Sequence, residues 1–385
     1  MEKQDVFCPR FWNGLQIYPD GLITICCLFD KYFGRIQEIE NVSEHLTNNK
    51  ELQEFRRKVL NGEEVEFCKY CYREEKLMGN KHSLRGYSID MAGLDENKLT
   101  PGTKHDIKFL DFRISNKCNL HCRMCWPYCS SAWEQILGEK TAKVDPKKVR
   151  ELVLTIKNIQ GLKELYFAGG EPFIIDEVWE ILDQQIENRC TGVALRFNTN
   201  LTVLKYKDWD ILKILEKWIQ LGNRLELSVS YDGIGKVIEY CRTGCSWEVL
   251  DKNLRKVKGV LGQYEKANIA LCPTVSLLNV LHLKDLIEYS HEVGVRCYIG
   301  NMLSRPRFYS LGAFPKSKKD LIIGTLEKQF GECPSDELLQ CLDFVSNEIG
   351  TNELKQVEVE PCREFYKKDP EFSLINPILE NWYEL

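Results

Sequence analysis

The run Ile107–Ser115 reads as a strand, and it leads directly into Lys117-Cys118-Asn119-Leu120-His121-Cys122-Arg123-Met124-Cys125. Thiolates at Cys118, Cys122 and Cys125 meet on one small object only if the loop wraps around it. A cubane 4Fe–4S cluster held wholly by protein takes four cysteines. Three leave one iron open to a substrate or cofactor, the same logic as the open position of a catalytic metal. The plainer readings are three buried cysteines that merely lie close, or a zinc site. Zinc, however, favours four ligands and Cys-x2-Cys pairs. Cys129 is the weaker candidate for a further ligand.

The texture of the chain around this loop predicts an α/β fold. Candidate strands are Ile107–Ser115, Glu164–Ala168, Val193–Asn198, Arg224–Ser230, Asn268–Thr274 and Arg296–Asn301, with helical stretches such as Pro146–Ile159, Glu177–Ile186 and Leu283–Val293 between them. Strands alternating with helices imply parallel βαβ units that close right-handedly. The expected architecture is a partial (β/α)6 TIM-like barrel over residues 105–310, whose chemistry sits at the C-terminal strand ends. Residues 1–100 read as a small irregular N-terminal cluster-binding domain. They hold a hairpin at Leu15–Cys26, turning at Pro19-Asp20-Gly21, and a helix from Asn48 to Leu60. Thr100-Pro101-Gly102-Thr103 reads as a linker. Residues 311–385 read as a helical C-terminal extension, with helices at Lys318–Phe330 and Asp336–Ile349.

Seventeen cysteines fall into groups along the 385 residues. The N-terminus has no signal-peptide pattern and no apolar run is long enough to span a bilayer. A cytoplasmic, reducing setting is therefore expected, in which grouped thiolates are metal or cluster ligands rather than disulfides. A net charge of −5 gives no phosphate-tracking surface, so neither nucleic acid nor membrane is an expected partner.

Further motifs stand at successive strand ends. Gly169-Gly170-Glu171-Pro172 follows the second strand. Paired glycines let backbone approach a ligand closely, and Glu171 can accept hydrogen bonds from an ammonium group. Asn198-Thr199-Asn200 ends the third strand, Ser230-Tyr231-Asp232-Gly233 ends the fourth, and Arg242 follows. Taken singly, each has a bland reading as a turn or a surface ion pair. In strand order, with the cysteine loop, residues 107–301 resemble the radical S-adenosylmethionine (SAM) superfamily. The departures are Met124, where relatives place an aromatic residue, and Leu201, where they place a glycine. The resemblance implies that Cys118, Cys122 and Cys125 hold a SAM-binding 4Fe–4S cluster. It implies SAM contacts from Gly169, Gly170, Glu171, Pro172, Asn198, Ser230, Asp232 and Arg242, with Glu171 on the amino group, Ser230 on the ribose and Arg242 on the carboxylate.

Cys8, Cys26, Cys68 and Cys71 form a second group. The hairpin would bring Cys8 and Cys26 together, and the Cys-x2-Cys turn adds two thiolates. Their spacing is similar to the first half of the SPASM domain, whose short form is called twitch, although relatives carry it after the barrel. The resemblance implies an auxiliary 4Fe–4S cluster, and a four-cysteine zinc knuckle is the alternative. Cys27, next to Cys26, leaves the choice of ligand open there.

The implied activity is reductive cleavage of SAM to a 5′-deoxyadenosyl radical that abstracts hydrogen from a peptide or small-molecule substrate. This is an oxidoreductase-type reaction assisted by the auxiliary cluster, with a reducing donor such as ferredoxin or flavodoxin. The alternatives are a radical SAM methyl or group transferase, and a non-catalytic metal-binding protein. No residue is singled out as catalytic.

Overall fold

The computed structural model describes residues 6–80, 83–313 and 316–331, together with residues 345, 371 and 375. The expected helix Asp336–Ile349 lies outside the described residues except at Val345. Eight strands form one sheet: β1 (Gly14–Ile17), β2 (Ile23–Thr24), β3 (Phe109–Phe112), β4 (Glu164–Phe167), β5 (Ala194–Thr199), β6 (Arg224–Val229), β7 (Ala267–Leu271) and β8 (Arg296–Cys297). Their order is β8-β7-β6-β5-β4-β3-β1-β2. From β3 to β8 each strand lies beside its sequence neighbour, the order of a partial (β/α)6 barrel. The pairs β1·β3, β3·β4, β4·β5 and β7·β8 are parallel, and the hairpin β1·β2 is antiparallel.

The chain falls into two compact units. One comprises Met1–Lys117, Lys140–Phe197 and Ile214–Leu225; the other comprises Cys118–Glu139, Asn198–Lys213 and Glu226–Leu385.

In the first unit the strands alternate sharply. Leu15, Leu110, Leu165 and Leu195 stand in register on one face, followed by Ile17, Phe112, Phe167 and Phe197. All eight are buried. Phe167 stacks on Phe197 at 5.3 Å, and Phe173 and Trp179 continue the aromatic layer. The helix Pro146–Lys157 starts on Pro146, with Asp145 accepting the Lys147 N–H, and buries Leu152, Val153 and Ile156. It packs beside the helix Asp176–Glu187, which buries Val178, Trp179, Ile181 and Leu182.

The N-terminal region is more helical than its sequence suggests. Besides the expected helix, found at Lys50–Leu60, it holds Val42–Asn48, Lys69–Met78 and Leu84–Ala92. Asn41, Asn49 and Ser83 cap three of these with side-chain acceptors. Segment 100–103 is a hydrogen-bonded turn, gripped by Arg56 through the carbonyls of Pro101 and Thr103. Arg56 is fully buried and also donates to the Phe11 carbonyl and to His105 Nδ1. His105 must therefore carry its proton on Nε2, which donates to the Gly14 carbonyl at 3.0 Å.

In the second unit an apolar core gathers Leu120, Met124, Tyr240, Leu277, Leu283 and Phe330. Two expected strands are divided here. The run Asn268–Thr274 ends as β7 at Leu271, and Thr274–Val275 pairs instead with Asn301–Met302 in a separate two-stranded sheet. Pro273, which lacks an N–H, stands at the first break, and Gly300 at the second.

Burial and the neighbouring Arg56 push the pKa of His105 down to about 3. The unfolded chain takes up this proton near pH 6.5, so the contribution is intact above that pH and is lost as pH falls toward 3. Between pH 7 and pH 5 it should cost about 2 kcal/mol of unfolding free energy. Denaturant melts should show a smaller loss for His105→Gln, whose amide keeps one donor and one acceptor.

Candidate functional site

In the second unit the cysteine loop leaves the sheet and pairs its backbone with residues 241–243. His121 N–H donates to the Thr243 carbonyl at 3.1 Å, and Arg123 N–H to the Cys241 carbonyl at 2.9 Å. Ser130 Oγ donates to the Leu120 carbonyl and Trp133 Nε1 to the Cys122 carbonyl, fixing the loop from its other side. Cys118 Sγ accepts the Leu120 N–H at 3.5 Å. Cys122 and Cys125 face each other closely enough to share a thiol hydrogen bond, which with burial drives the Cys122 pKa well up. Arg242 opposes that rise: its Nη1 lies 3.9 Å from Cys122 Sγ. Met124, at the departure from the aromatic pattern, is buried in the core behind the loop.

Arg242 is itself held by Asp232. Its Nε lies 2.7 Å from Asp232 Oδ2, an ionic contact too bent to count as a good hydrogen bond, while Asp232 Oδ1 accepts the Thr274 N–H at 2.7 Å. Asp232 is completely buried. Such a pair breaks expensively, because losing either partner strands a charge. Ser230 N–H donates to the Thr199 carbonyl at 2.9 Å, and Asn198 is exposed. Asn200 donates to Asn119 Oδ1, which ties the end of β5 to the cysteine loop. Leu201 stands at φ +56°, so a leucine adopts a left-handed backbone that ordinarily favours glycine.

Gly169-Gly170-Glu171-Pro172 belongs to the first unit. Glu171 N–H donates to the carbonyl of Lys117, the residue directly before Cys118 in the chain, at 2.7 Å. Gly170 has φ +53°, and a Cβ there would meet the Lys117 oxygen at 2.3 Å. Glu171 is buried and its carboxylate accepts the Phe173 N–H at 3.0 Å.

Also in the first unit, Cys8, Cys26, Cys68 and Cys71 line one small pocket, together with Phe11, Phe29, Arg10 and Arg85. Cys68 immediately precedes the helix Lys69–Met78 and Cys71 lies in its first turn. Burial raises the pKa of Cys8 and Cys68, and takes Cys71 to about 12. A hydrogen bond that the Cys26 thiol donates to Cys27, and then burial, raises Cys26. Thiolates here call for positive charge nearby. Two buried guanidinium groups supply it: Arg10 pairs with Glu164 at 2.8 Å, and Arg85 pairs with Glu75 at 2.6 Å. Four sulfurs around one apolar pocket match the ligand count of a closed cubane. Among the described residues, no group of three or more His, Cys, Asp or Glu side chains is drawn together as a single-ion site. Cys27 sits near Asp111 and Arg113. Arg10 and Arg85 went unnoticed in the sequence, where nothing marks one arginine as buried. Asp111-Phe112-Arg113, a charged alternation inside a strand, was a readable signal.

Gly170 and Gly138 separate two costs. Both are left-handed, at φ +53° and +68°, but nothing lies within 4 Å of a Cβ placed on Gly138. Gly138→Ala should lose about 1–2 kcal/mol from backbone strain alone. Gly170→Ala should lose about 1–3 kcal/mol more from the clash with Lys117. Denaturant melts of the two variants measure the difference.

Residues 112–299 match the Radical SAM superfamily, and residues 8–72 match the iron–sulfur cluster-binding domain known as SPASM. The chain is 22% identical over 191 residues to a GTP 3′,8-cyclase of Sulfurimonas denitrificans, a match covering 49% of this chain and 54% of that protein. It is 27% identical over 150 residues to a tungsten-containing aldehyde ferredoxin oxidoreductase cofactor-modifying protein of Pyrococcus furiosus, covering 35% of this chain and 39% of that protein. The chain thus spans only about half or less of the length of these relatives. Among solved structures, SuiB of Streptococcus suis bound to precursor peptide SuiA is 13% identical with a TM-score of 0.40, covering 81% of this chain and 72% of that one. Family matches, strand order and two cysteine sets agree: the chain carries a radical SAM domain over residues 112–299, preceded by a SPASM domain over residues 8–72.

Proposed function

We propose that this chain cleaves SAM reductively and directs the resulting radical to hydrogen abstraction from a peptide or small-molecule substrate, with an auxiliary 4Fe–4S cluster assisting the oxidation or binding the substrate. The observation that carries the reading is the arrangement around Cys122: two facing thiols and a buried arginine 3.9 Å away, itself fixed by a buried aspartate.

Cys118, Cys122 and Cys125 are the proposed ligands of the SAM-binding cluster. When bound there, that cluster supplies the electron that splits SAM into methionine and the 5′-deoxyadenosyl radical. The protein's own task is to bind, orient and exclude water. Asp232 fixes Arg242, whose guanidinium supplies positive charge beside the sulfurs and a partner for the SAM carboxylate. Gly169 and Gly170 bring backbone close, Glu171 takes the ammonium group, and Pro172 starts the short helical turn that Glu171 caps. Asn198 and Ser230 lie at strand ends where the ribose would be met. Cys8, Cys26, Cys68 and Cys71 are the proposed ligands of the auxiliary cluster. The pocket they share supports this, and so does the SPASM match over residues 8–72. Among the described residues no helix is long and apolar enough to cross a membrane.

Anaerobically reconstituted protein should bind about eight irons per chain. With SAM and dithionite it should release 5′-deoxyadenosine, and Cys118→Ala should release none. A wild-type protein that makes no 5′-deoxyadenosine defeats the proposal. Cys68→Ala should fall to about four irons yet still cleave SAM without substrate. Full iron retention in Cys68→Ala would remove the N-terminal site from the scheme.

A further inference from the structure

The face of the first unit opposite the leucine and phenylalanine ladder is polar. Thr24, Gln16, Asp111, Tyr166 and Arg196 lie side by side across β2, β1, β3, β4 and β5. Barrel interiors are ordinarily filled by branched apolar side chains, so charged residues in this row need a reason. Most of them answer to one another. Asp111 holds Arg113 through two contacts of 2.8 Å, and Glu164 holds both Arg10 and Arg196. Arg113 and Arg196 also lie over the Tyr166 ring, at 5.3 and 4.9 Å from its centroid. The guanidinium groups thereby clamp the tyrosine across three strands. About a quarter of each of these two arginine side chains stays exposed.

Gln16 is the exception. It is 0% exposed, and among the described residues neither its Oε1 nor its Nε2 finds a hydrogen-bond partner in the protein. Its neighbours in the row are committed elsewhere: Thr24 Oγ1 donates to the Phe29 carbonyl, and Asp111 is taken by Arg113. A buried amide left without partners loses the hydrogen bonds that water gave it in the unfolded chain, and so destabilises the fold. Native folds keep such a group where a ligand or water completes it. Arg10 lines the cysteine pocket, so its charge answers the sulfurs as well as Glu164. The rest of the row is then two neutral ion pairs and one open carboxamide. A neutral group offering one donor and one acceptor fits it, and a free anion or cation does not.

We propose that Gln16, with the Arg113–Tyr166–Arg196 clamp beside it, is a binding site for the amide group of the substrate. That group is either a backbone peptide unit or the carboxamide of a small molecule. The proposal rests on the radical SAM reading above for the identity of the ligand as substrate. It makes the hairpin strand of the cluster-binding region a part of substrate recognition.

The test uses reconstituted holoprotein, with N-acetyl-Ala-Ala-Ala-amide and acetamide as probes, each titrated calorimetrically up to about 10 mM, the range in which weak fragments register. Wild-type protein should bind at least one, and the one it prefers separates a peptide source from a small-molecule source. Gln16→Leu should bind that probe at least tenfold more weakly. Because it removes an unpaired buried amide, its thermal midpoint should stay level or rise. Absence of binding by wild type, equal binding by Gln16→Leu, or a lowered midpoint in Gln16→Leu each overturns the proposal. Substrate-free release of 5′-deoxyadenosine is measured in parallel. If wild type releases none, the radical SAM reading fails; if both proteins release it normally while binding is unchanged, the amide site alone fails.

Discussion

The parallel pairing of β1 with β3 is the constraint on which the first unit depends. Gly14, Leu15, Gln16 and Ile17 meet Phe109, Leu110, Asp111 and Phe112 in register. Side chains on a strand alternate between faces, so a slip of one residue would turn every one of them over. The register therefore decides in one stroke that Leu15 and Ile17 join the apolar ladder and that Gln16 joins the polar row. It also seats the hairpin, and with it Cys26, against the remaining N-terminal cysteines. Gly14 is fitted to this junction, since a Cβ there would meet the Ile25 carbonyl oxygen at 2.1 Å.

Much of this arrangement was legible in the chain. The six expected strands have counterparts in β3 to β8. The turn at Pro19-Asp20-Gly21 joins β1 and β2, with Gly21 at φ +86°. The cysteine loop could be read because metal chemistry limits the spacings that work. What could not be read was long-range. No local pattern says that a strand at Gly14 will lie beside one at Phe109. The row running from Thr24 to Arg196 exists only once that pairing is known. The short N-terminal helices Val42–Asn48 and Leu84–Ala92 escaped for a different reason: they are brief and their apolar positions sparse, so side-chain caps at Asn41 and Ser83 matter more to them than periodicity does. The divided strands were signalled by Pro273 and Gly300, each standing within an otherwise strand-like run.

Charge in the first unit is arranged by sharing. Glu164 is buried among two guanidinium groups; burial alone would raise its pKa, but Arg10 and then Arg196 more than offset this and hold it below the usual carboxylate range. One carboxylate thus links a residue of the cysteine pocket to a residue of the polar row. Asp111 differs: burial raises its pKa against the pull of Arg113, its single strong partner. The two acids lie on neighbouring strands, yet Glu164 is anchored firmly as an anion while Asp111 is held less securely.

Leu201 carries a last consequence. A glycine at this corner could swing between mirror-related backbone wells almost freely, and the turn after β5 would behave as a hinge. A leucine in the same well has no such liberty, because its side chain is wholly enclosed and would have to be withdrawn from the interior before the backbone could flip. The corner is locked from within, and Asn200 and Thr202 on either side of it inherit that stiffness.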